Sequence, residues 1–215
     1  MSPKSSVGFA GMLAEVLARP DVTEEVELGS AVGLMAIHGG GLERTTDVVA
    51  RSVAERIGGS YYGVLFPDDA GVADHPPSTA FDPDHSAALA MFLERVETVV
   101  SVHGYGRRHL RYSVLLGGRN RTLAHRVAAA AAPRLVDYDF VTDLARIPHH
   151  LRGQHPRNPV NRPPQAGVQI ELPPSIRWHW AGRGWSDTPG VGRAPQLTRL
   201  VDGLTEALRD WPTDS

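Results

Sequence analysis

The segment Gly33-Leu34-Met35-Ala36-Ile37-His38-Gly39-Gly40-Gly41-Leu42-Glu43-Arg44-Thr45-Thr46 constrains this chain more than any other. It opens with an apolar run too short for a typical helix, which predicts a buried strand. Three consecutive glycines, favoured in neither a strand nor a helix interior, then break it. His38 stands just before the break and Glu43 just after it. Such a strand sets two potential metal ligands at the C-terminal edge of a sheet, where sites form in open α/β folds. The glycines let the backbone turn tightly enough to bring the Glu43 carboxylate back beside the His38 imidazole. The alternative reading is a glycine-rich strand–helix turn with an incidental histidine.

The pattern occurs a second time. Thr98-Val99-Val100-Ser101-Val102 reads as a strand that runs directly into His103-Gly104. If the two strands are parallel neighbours, both imidazoles reach one edge of the sheet. The remaining elements alternate. Phe9 to Leu17 has helical spacing and stops before Pro20, and Val22 to Leu28 reads as an edge strand. A helix capped by Thr45 or Thr46 is expected through about Ile57, closed by Gly58-Gly59. Ser60 to Phe66 reads as a strand and Pro67 to Pro83 as a long loop, a length that is often functional. Helices are expected over Asp84 to Val96, Arg121 to Ala132 and Leu197 to Trp211. Strands are expected over Tyr112 to Leu116, Leu135 to Val141 and Gly167 to Leu172, the last stopped by Pro173-Pro174. The segment through Trp178, Trp180 and Trp185 reads as irregular. Strands alternating with helices predict an α/β fold with a largely parallel or mixed sheet.

The 215 residues predict one domain, with enough chain for a sizeable core. With 22 basic and 24 acidic residues the formal charge is -2, so no single-sign field argues for nucleic acid or an anionic membrane. There is no cysteine, so any metal must be held by His, Asp or Glu. No apolar run approaches the ~18 residues of a transmembrane helix. The N-terminal stretch has Lys4, but Glu15 and Arg19 interrupt its apolar positions, which is not a signal-peptide pattern. These features predict a soluble, cytoplasmic protein.

Three candidates converge on one chemistry: His38, Glu43 and His103. Two histidines and a carboxylate leave an open position in a catalytic zinc site, where the metal polarises a carbonyl and acidifies water. Such a site also needs a separate proton carrier. Glu171 is the candidate, because it interrupts an otherwise apolar strand and a buried, unpartnered carboxylate is costly. The alternative places Glu171 on the exposed face of an edge strand. His75, in the long loop, is within reach of such a site. Arg162 after Asn161, and Arg119 after Gly117-Gly118, are candidates for binding a substrate carboxylate, a task that suits the planar guanidinium fork. His85, His109, His125 and His179, and the polar-stretch residues His149, His150 and His155, have no positional argument for ligation.

Several ordered segments resemble the phage-type poly-γ-glutamate hydrolase family. Ala36-Ile37-His38-Gly39-Gly40-Gly41-Leu42-Glu43 is similar to its first metal motif, and Asp74-His75-Pro76-Pro77-Ser78-Thr79-Ala80-Phe81-Asp82-Pro83 to its His-x-x-Ser-Thr-x-Phe-Asp loop. Val100-Ser101-Val102-His103-Gly104 resembles the strand that carries a third ligand. Leu116-Gly117-Gly118-Arg119-Asn120 and Asn158-Pro159-Val160-Asn161-Arg162 match later landmarks. Gly167-Val168-Gln169-Ile170-Glu171-Leu172, with Arg177 downstream, resembles the closing motif. The resemblance implies a three-layer α/β/α fold similar to zinc carboxypeptidases, zinc on His38, Glu43 and His103, and Glu171 as general base or acid. It also implies hydrolysis of γ-glutamyl amides of a polyanionic polyglutamate substrate, released by lysis if the protein is phage-derived. The chain departs from the pattern at Pro76-Pro77, in the basic run after His103, and in the Trp-rich tail from Trp178. Two other readings stand beside this one: an acyl-amino-acid deacylase or small carboxypeptidase, and a non-catalytic phage-associated accessory domain.

Overall fold

A computed structural model describes residues 11–213. The elements in chain order are α1 (Met12–Leu17), β1 (Thr23–Glu27), β2 (Ser30–Gly40), α2 (Thr46–Ile57), β3 (Gly59–Phe66), α3 (Ala87–Arg95), β4 (Thr98–Gly104) and β5 (Ser113–Leu116). There follow α4 (Arg121–Ala131), β6 (Asp139–Val141), β7 (Gly167–Leu172), α5 (Pro174–Arg177), β8 (Trp178–His179), β9 (Gly184–Trp185) and α6 (Pro195–Arg209). The start of the first expected helix, at Phe9, and Lys4 lie outside the described residues. No helix among the described residues is long and apolar enough to cross a membrane.

Seven strands form one sheet in the order β1-β3-β2-β4-β7-β5-β6. Strands β3, β2, β4 and β7 run parallel, β1 pairs antiparallel with β3 at one edge, and β5 pairs antiparallel with β7. The mixed, largely parallel α/β sheet is as expected, and it has helices on both faces. Val32, Leu34 and Ala36 of β2 and Val100 and Val102 of β4 bury one face against α2, α4 and α6, through Val49, Leu123 and Leu204 among others. Met35, Ile37 and Val99 bury the other face against α1 and α3, through Leu13, Val16, Leu89 and Phe92. Near-continuous apolar strands are what two covered faces require.

Four boundaries differ from the sequence reading for physical reasons. The glycines after His38 do not end β2. Gly39 and Gly40 pair with Leu65 and Phe66, and a Cβ on Gly40 would stand 2.3 Å from the Phe66 carbonyl oxygen, so this approach admits only glycine. The helix expected from Asp84 starts at Ala87, because Pro83–His85 form a 3-10 turn and the Ser86 hydroxyl accepts the Leu89 amide as the N-cap. The strand expected from Leu135 is confined to Asp139–Val141. The tail expected to be irregular holds the short β8–β9 hairpin.

Candidate metal centre and cleft

Parallel pairing of β2 with β4 brings the two strand-end histidines to one edge, as the repeated pattern predicted. Strict alternation along β2 would turn His38 toward the Ala36 face. A register shift between Ala36 and Gly39 in the pairing with β3 intervenes, and His38 instead packs edge-on to Phe81 of the opposite core, ring centroids 5.5 Å apart. Such an irregularity re-aims a side chain where a site needs it.

Glu43 is fixed by its own backbone. Its amide donates to the His38 carbonyl at 2.9 Å, and its carbonyl accepts the Thr46 hydroxyl at 2.7 Å and the Thr46 amide at 3.2 Å. Thr45, the residue before the helix, takes φ 72° and its side chain caps nothing; its amide donates to Asp187 at 3.1 Å. The expected threonine cap of α2 is therefore replaced by a turn that serves Glu43. The loop returns the carboxylate to the imidazoles, as the glycines allow.

The geometry converges on one point. The Nδ1 atoms of His38 and His103 are 3.2 Å apart. Glu43 Oε1 lies 3.2 Å from His38 Nδ1, and Glu43 Oε2 lies 3.3 Å from His103 Nδ1. Ligands placed ~2.0–2.1 Å from a tetrahedral zinc stand roughly 3.3–3.4 Å from one another, so this spacing fits the metal. The far sides of both rings are engaged. His38 Nε2 is 2.9 Å from the Pro76 carbonyl, which can only accept, so that nitrogen carries the hydrogen and Nδ1 presents a lone pair. His103 Nε2 is 3.0 Å from Ser101 Oγ. Partners of this kind orient metal-binding imidazoles. His75 Nε2 is 2.9 Å from Glu43 Oε1, and its ring lies 4.1 Å from that of His38. A second possible ligand set, His38, Glu43 and His75, has its ligand atoms within 4.8 Å of one another. The arrangement can hold a metal ion.

The two imidazoles differ in their electrostatics, and a metal on His103 has to displace a proton that its carboxylate neighbours favour. Burial lowers the His38 pKa to about 4, so the ring is neutral, as a ligand must be. Burial would raise the Glu43 carboxyl, but His38 and His103 outweigh it and hold the group well below the usual carboxylate range. Burial would lower His103, but Glu43 and Glu171 raise it.

Glu171 lies on β7, a central strand, and is 3% exposed. The edge-strand alternative therefore does not hold. Its register partner is His103. Burial pushes its pKa up to about 7, opposed chiefly by His103. Gln169 donates to Glu171 Oε1 at 2.8 Å, and Asn158 donates to Gln169 Oε1 at 2.8 Å, which fixes the amide with its NH₂ toward the carboxylate. Gln169, Asn158 and Ser101 were not singled out from the sequence for these roles. Two of them carried a readable signal, since residues i and i+2 of a strand share a face and Ser101 and Gln169 precede His103 and Glu171 by two.

A cleft of about 670 Å³ opens over this group, lined by His38, Glu43, His75, His103 and Glu171, and walled by the 149–156 segment. His149, His150 and His155, which had no positional argument in the sequence, line it. Asn161, Arg162 and Arg119 do not. The Asn161 amide is spent on the Gly153 and His155 carbonyls, and its Oδ1 accepts the Arg119 amide at 3.0 Å. Arg162 faces Asp82 at 3.4 Å, and Arg119 donates to the Gln154 carbonyl. Through these contacts Asn161 and Arg119 brace the 149–156 wall of the cleft.

The family model described as poly-gamma-glutamate hydrolase matches residues 12–182, so the chain belongs to that family. It is 32% identical over 155 residues to the protein YndL of Bacillus subtilis (strain 168), covering 70% of this chain and 56% of YndL. The chain spans about half the length of the curated relatives it matches. A solved bacteriophage poly-gamma-glutamate hydrolase superposes with a TM-score of 0.72 at 25% identity, covering 87% of each chain. A structure described as apo, zinc-free YNDL gives 0.72 at 26% identity, covering 88% of this chain and 90% of that one. A carboxypeptidase-like protein of Burkholderia mallei ATCC 23344 gives 0.51 at 12% identity, covering 94% and 67%, and shares the fold alone.

Proposed function

We propose that this member of the poly-gamma-glutamate hydrolase family is a zinc-dependent hydrolase of γ-glutamyl amide bonds, with His38, Glu43 and His103 as ligands and Glu171 as proton carrier. The observation that carries the metal assignment is that His38 Nδ1 and His103 Nδ1 stand 3.2 Å apart, the first 3.2 Å from Glu43 Oε1 and the second 3.3 Å from Glu43 Oε2. The structure of zinc-free YNDL supports zinc as the metal of this fold.

A zinc ion bound there supplies Lewis acidity, polarising the scissile carbonyl and lowering the pKa of water. The chain's own residues do the rest. Glu171 takes a proton from the attacking water and returns it to the departing nitrogen, which amide cleavage requires. A buried carboxyl pushed up to about 7 exchanges protons near neutral pH. Gln169 and Asn158 hold the carboxylate in one orientation. His75, 38% exposed at its side chain and tied to Glu43, stands where an incoming substrate passes and acts as a substrate contact. The reading with His75 as a ligand is separated from this one by metal content. The 149–156 wall, which carries Arg152 and three histidines, offers N–H donors to a substrate with a carboxylate on every residue.

The test is incubation of the protein with poly-γ-glutamate, acyl-amino acids and α-linked peptides. Shortening of the first alone is the expected result. Cleavage only of acyl-amino acids or peptides would replace this substrate with the deacylase or carboxypeptidase reading.

A further inference from the structure

The basic run after His103 and the tryptophans of the tail are far apart in sequence but form one feature. Arg107, Arg108 and Arg111 line a groove of about 690 Å³ together with Trp178, Trp180 and Trp185. Trp178 and Trp185 are partners across the β8–β9 hairpin and pack at right angles, centroids 5.3 Å apart, while Trp180 is 64% exposed. The Arg177 guanidinium lies over the Trp185 ring, 5.1 Å from its centroid.

Two properties of this groove point to a ligand. The first is charge. Arg107 donates to His150 and Arg111 to the Tyr112 hydroxyl, but none of the three arginines makes an ion pair with a carboxylate among the described residues. By contrast Arg51, Arg56, Arg134 and Arg146 each pair with a carboxylate. The second is continuity with the metal cleft. A passage of about 490 Å³ shares Glu43 and Gly104 with that cleft, and shares Gly106, Pro174 and Trp185 with the groove. Whatever extends from the scissile bond along the passage emerges between the arginines and the indoles.

We propose that this groove is a distal subsite that grips the polymer beyond the bond being cut, the arginines taking its pendant carboxylates and the indoles its methylene and amide segments. It rests on the proposed function and deepens it, since it makes the enzyme a reader of chain length. Guanidinium forks pair with carboxylates bidentately, and flat indole faces cover apolar stretches at little entropic cost. A ligand with regularly spaced carboxylates on a short aliphatic backbone satisfies both walls at once. The matched family segment ends at residue 182, before Trp185, so part of this groove lies outside it.

The experiment uses the zinc-loaded full chain. Binding of long poly-γ-glutamate to Glu171→Gln, which leaves the polymer intact, is followed by tryptophan fluorescence against ionic strength. It is repeated with Arg107→Ala, Arg108→Ala and Arg111→Ala combined, and with the exposed single change Arg108→Glu, which disturbs no packing. In parallel, the ratio of kcat/KM on long polymer to that on γ-glutamyl dipeptide is measured with Glu171 intact. The groove predicts a salt-sensitive fluorescence change, an affinity about tenfold weaker in the combined variant (about 1.4 kcal/mol) and a polymer-to-dipeptide ratio that falls by a similar factor. Unchanged affinity and ratio in both variants, with polymer still cleaved by the unaltered protein, overturn the groove and leave the function standing. Weakened binding in the variants of a protein that cleaves no polyglutamate would uphold the groove and overturn the function.

Discussion

His103 and Glu171 face one another as register partners on the parallel strands β4 and β7. Two residues earlier on each strand, Ser101 and Gln169 are also partners, and each hydrogen-bonds the functional side chain ahead of it. The same-face spacing of a β-strand thus builds a candidate ligand, a candidate proton carrier and the support for both from four positions. Both strands are buried on both faces, so these side chains have little rotamer freedom.

Glu171→Gln keeps the shape and the Gln169 contact region but removes the ionisable group. It is expected to bind zinc at full stoichiometry and to lose about 10²–10⁴-fold in kcat with a small change in KM. Steady-state kinetics on polyglutamate with metal analysis check this. Normal turnover would place the proton carrier elsewhere, and loss of zinc would make Glu171 a ligand.

Gln169→Leu removes a hydrogen bond to the ionised form of Glu171, so the carboxyl rises further. Activity needs the carboxylate, so kcat/KM increases as pH rises through this pKa. The acid limb of the profile is therefore expected to move to higher pH in the variant, with the alkaline limb in place. A limb that stays put would remove Glu171 from the titration.

The two possible ligand sets make opposite predictions. With His38, Glu43 and His103 as ligands, His38→Ala and His103→Ala lose zinc, while His75→Ala keeps it and chiefly raises KM. Elemental analysis of the three purified proteins decides. Zinc lost from His75→Ala but retained by His103→Ala would select the other set.

Gly40→Ala places a Cβ 2.3 Å from the Phe66 carbonyl oxygen at a φ of 65°. The strain and the overpacking together are expected to cost about 2–4 kcal/mol of stability. Because the same turn returns Glu43 to the site, zinc affinity should fall with it. Denaturant unfolding and a zinc titration measure both effects, and a variant as stable as the parent would contradict the close approach.

Much of the site was legible because its parts sit at strand ends. The apolar runs before His38 and His103 marked two strands, and a parallel pairing then had to bring the imidazoles together. Glu171 was legible as a charge inside an apolar run. What stayed hidden depends on loops folding back. Nothing in the spacing of Asn161 and Arg162 shows that the Asn161 amide is consumed by the Gly153 and His155 carbonyls or that Arg162 meets Asp82. The reverse holds for His149, His150 and His155, whose segment turns over the cleft. The register shift that re-aims His38 is equally invisible, since alternation alone puts that ring on the wrong face.

In the proposed reaction a metal held by His38, Glu43 and His103 drives cleavage of γ-glutamyl amides. Size-exclusion chromatography of poly-γ-glutamate after incubation with the protein as purified, after chelation, and after zinc is restored tests it most directly. The polymer is expected to shorten with the protein as purified, to stay intact after chelation, and to shorten again when zinc is returned. A polymer that remains intact with zinc-loaded protein, or shortens equally after the metal has been removed, would contradict it.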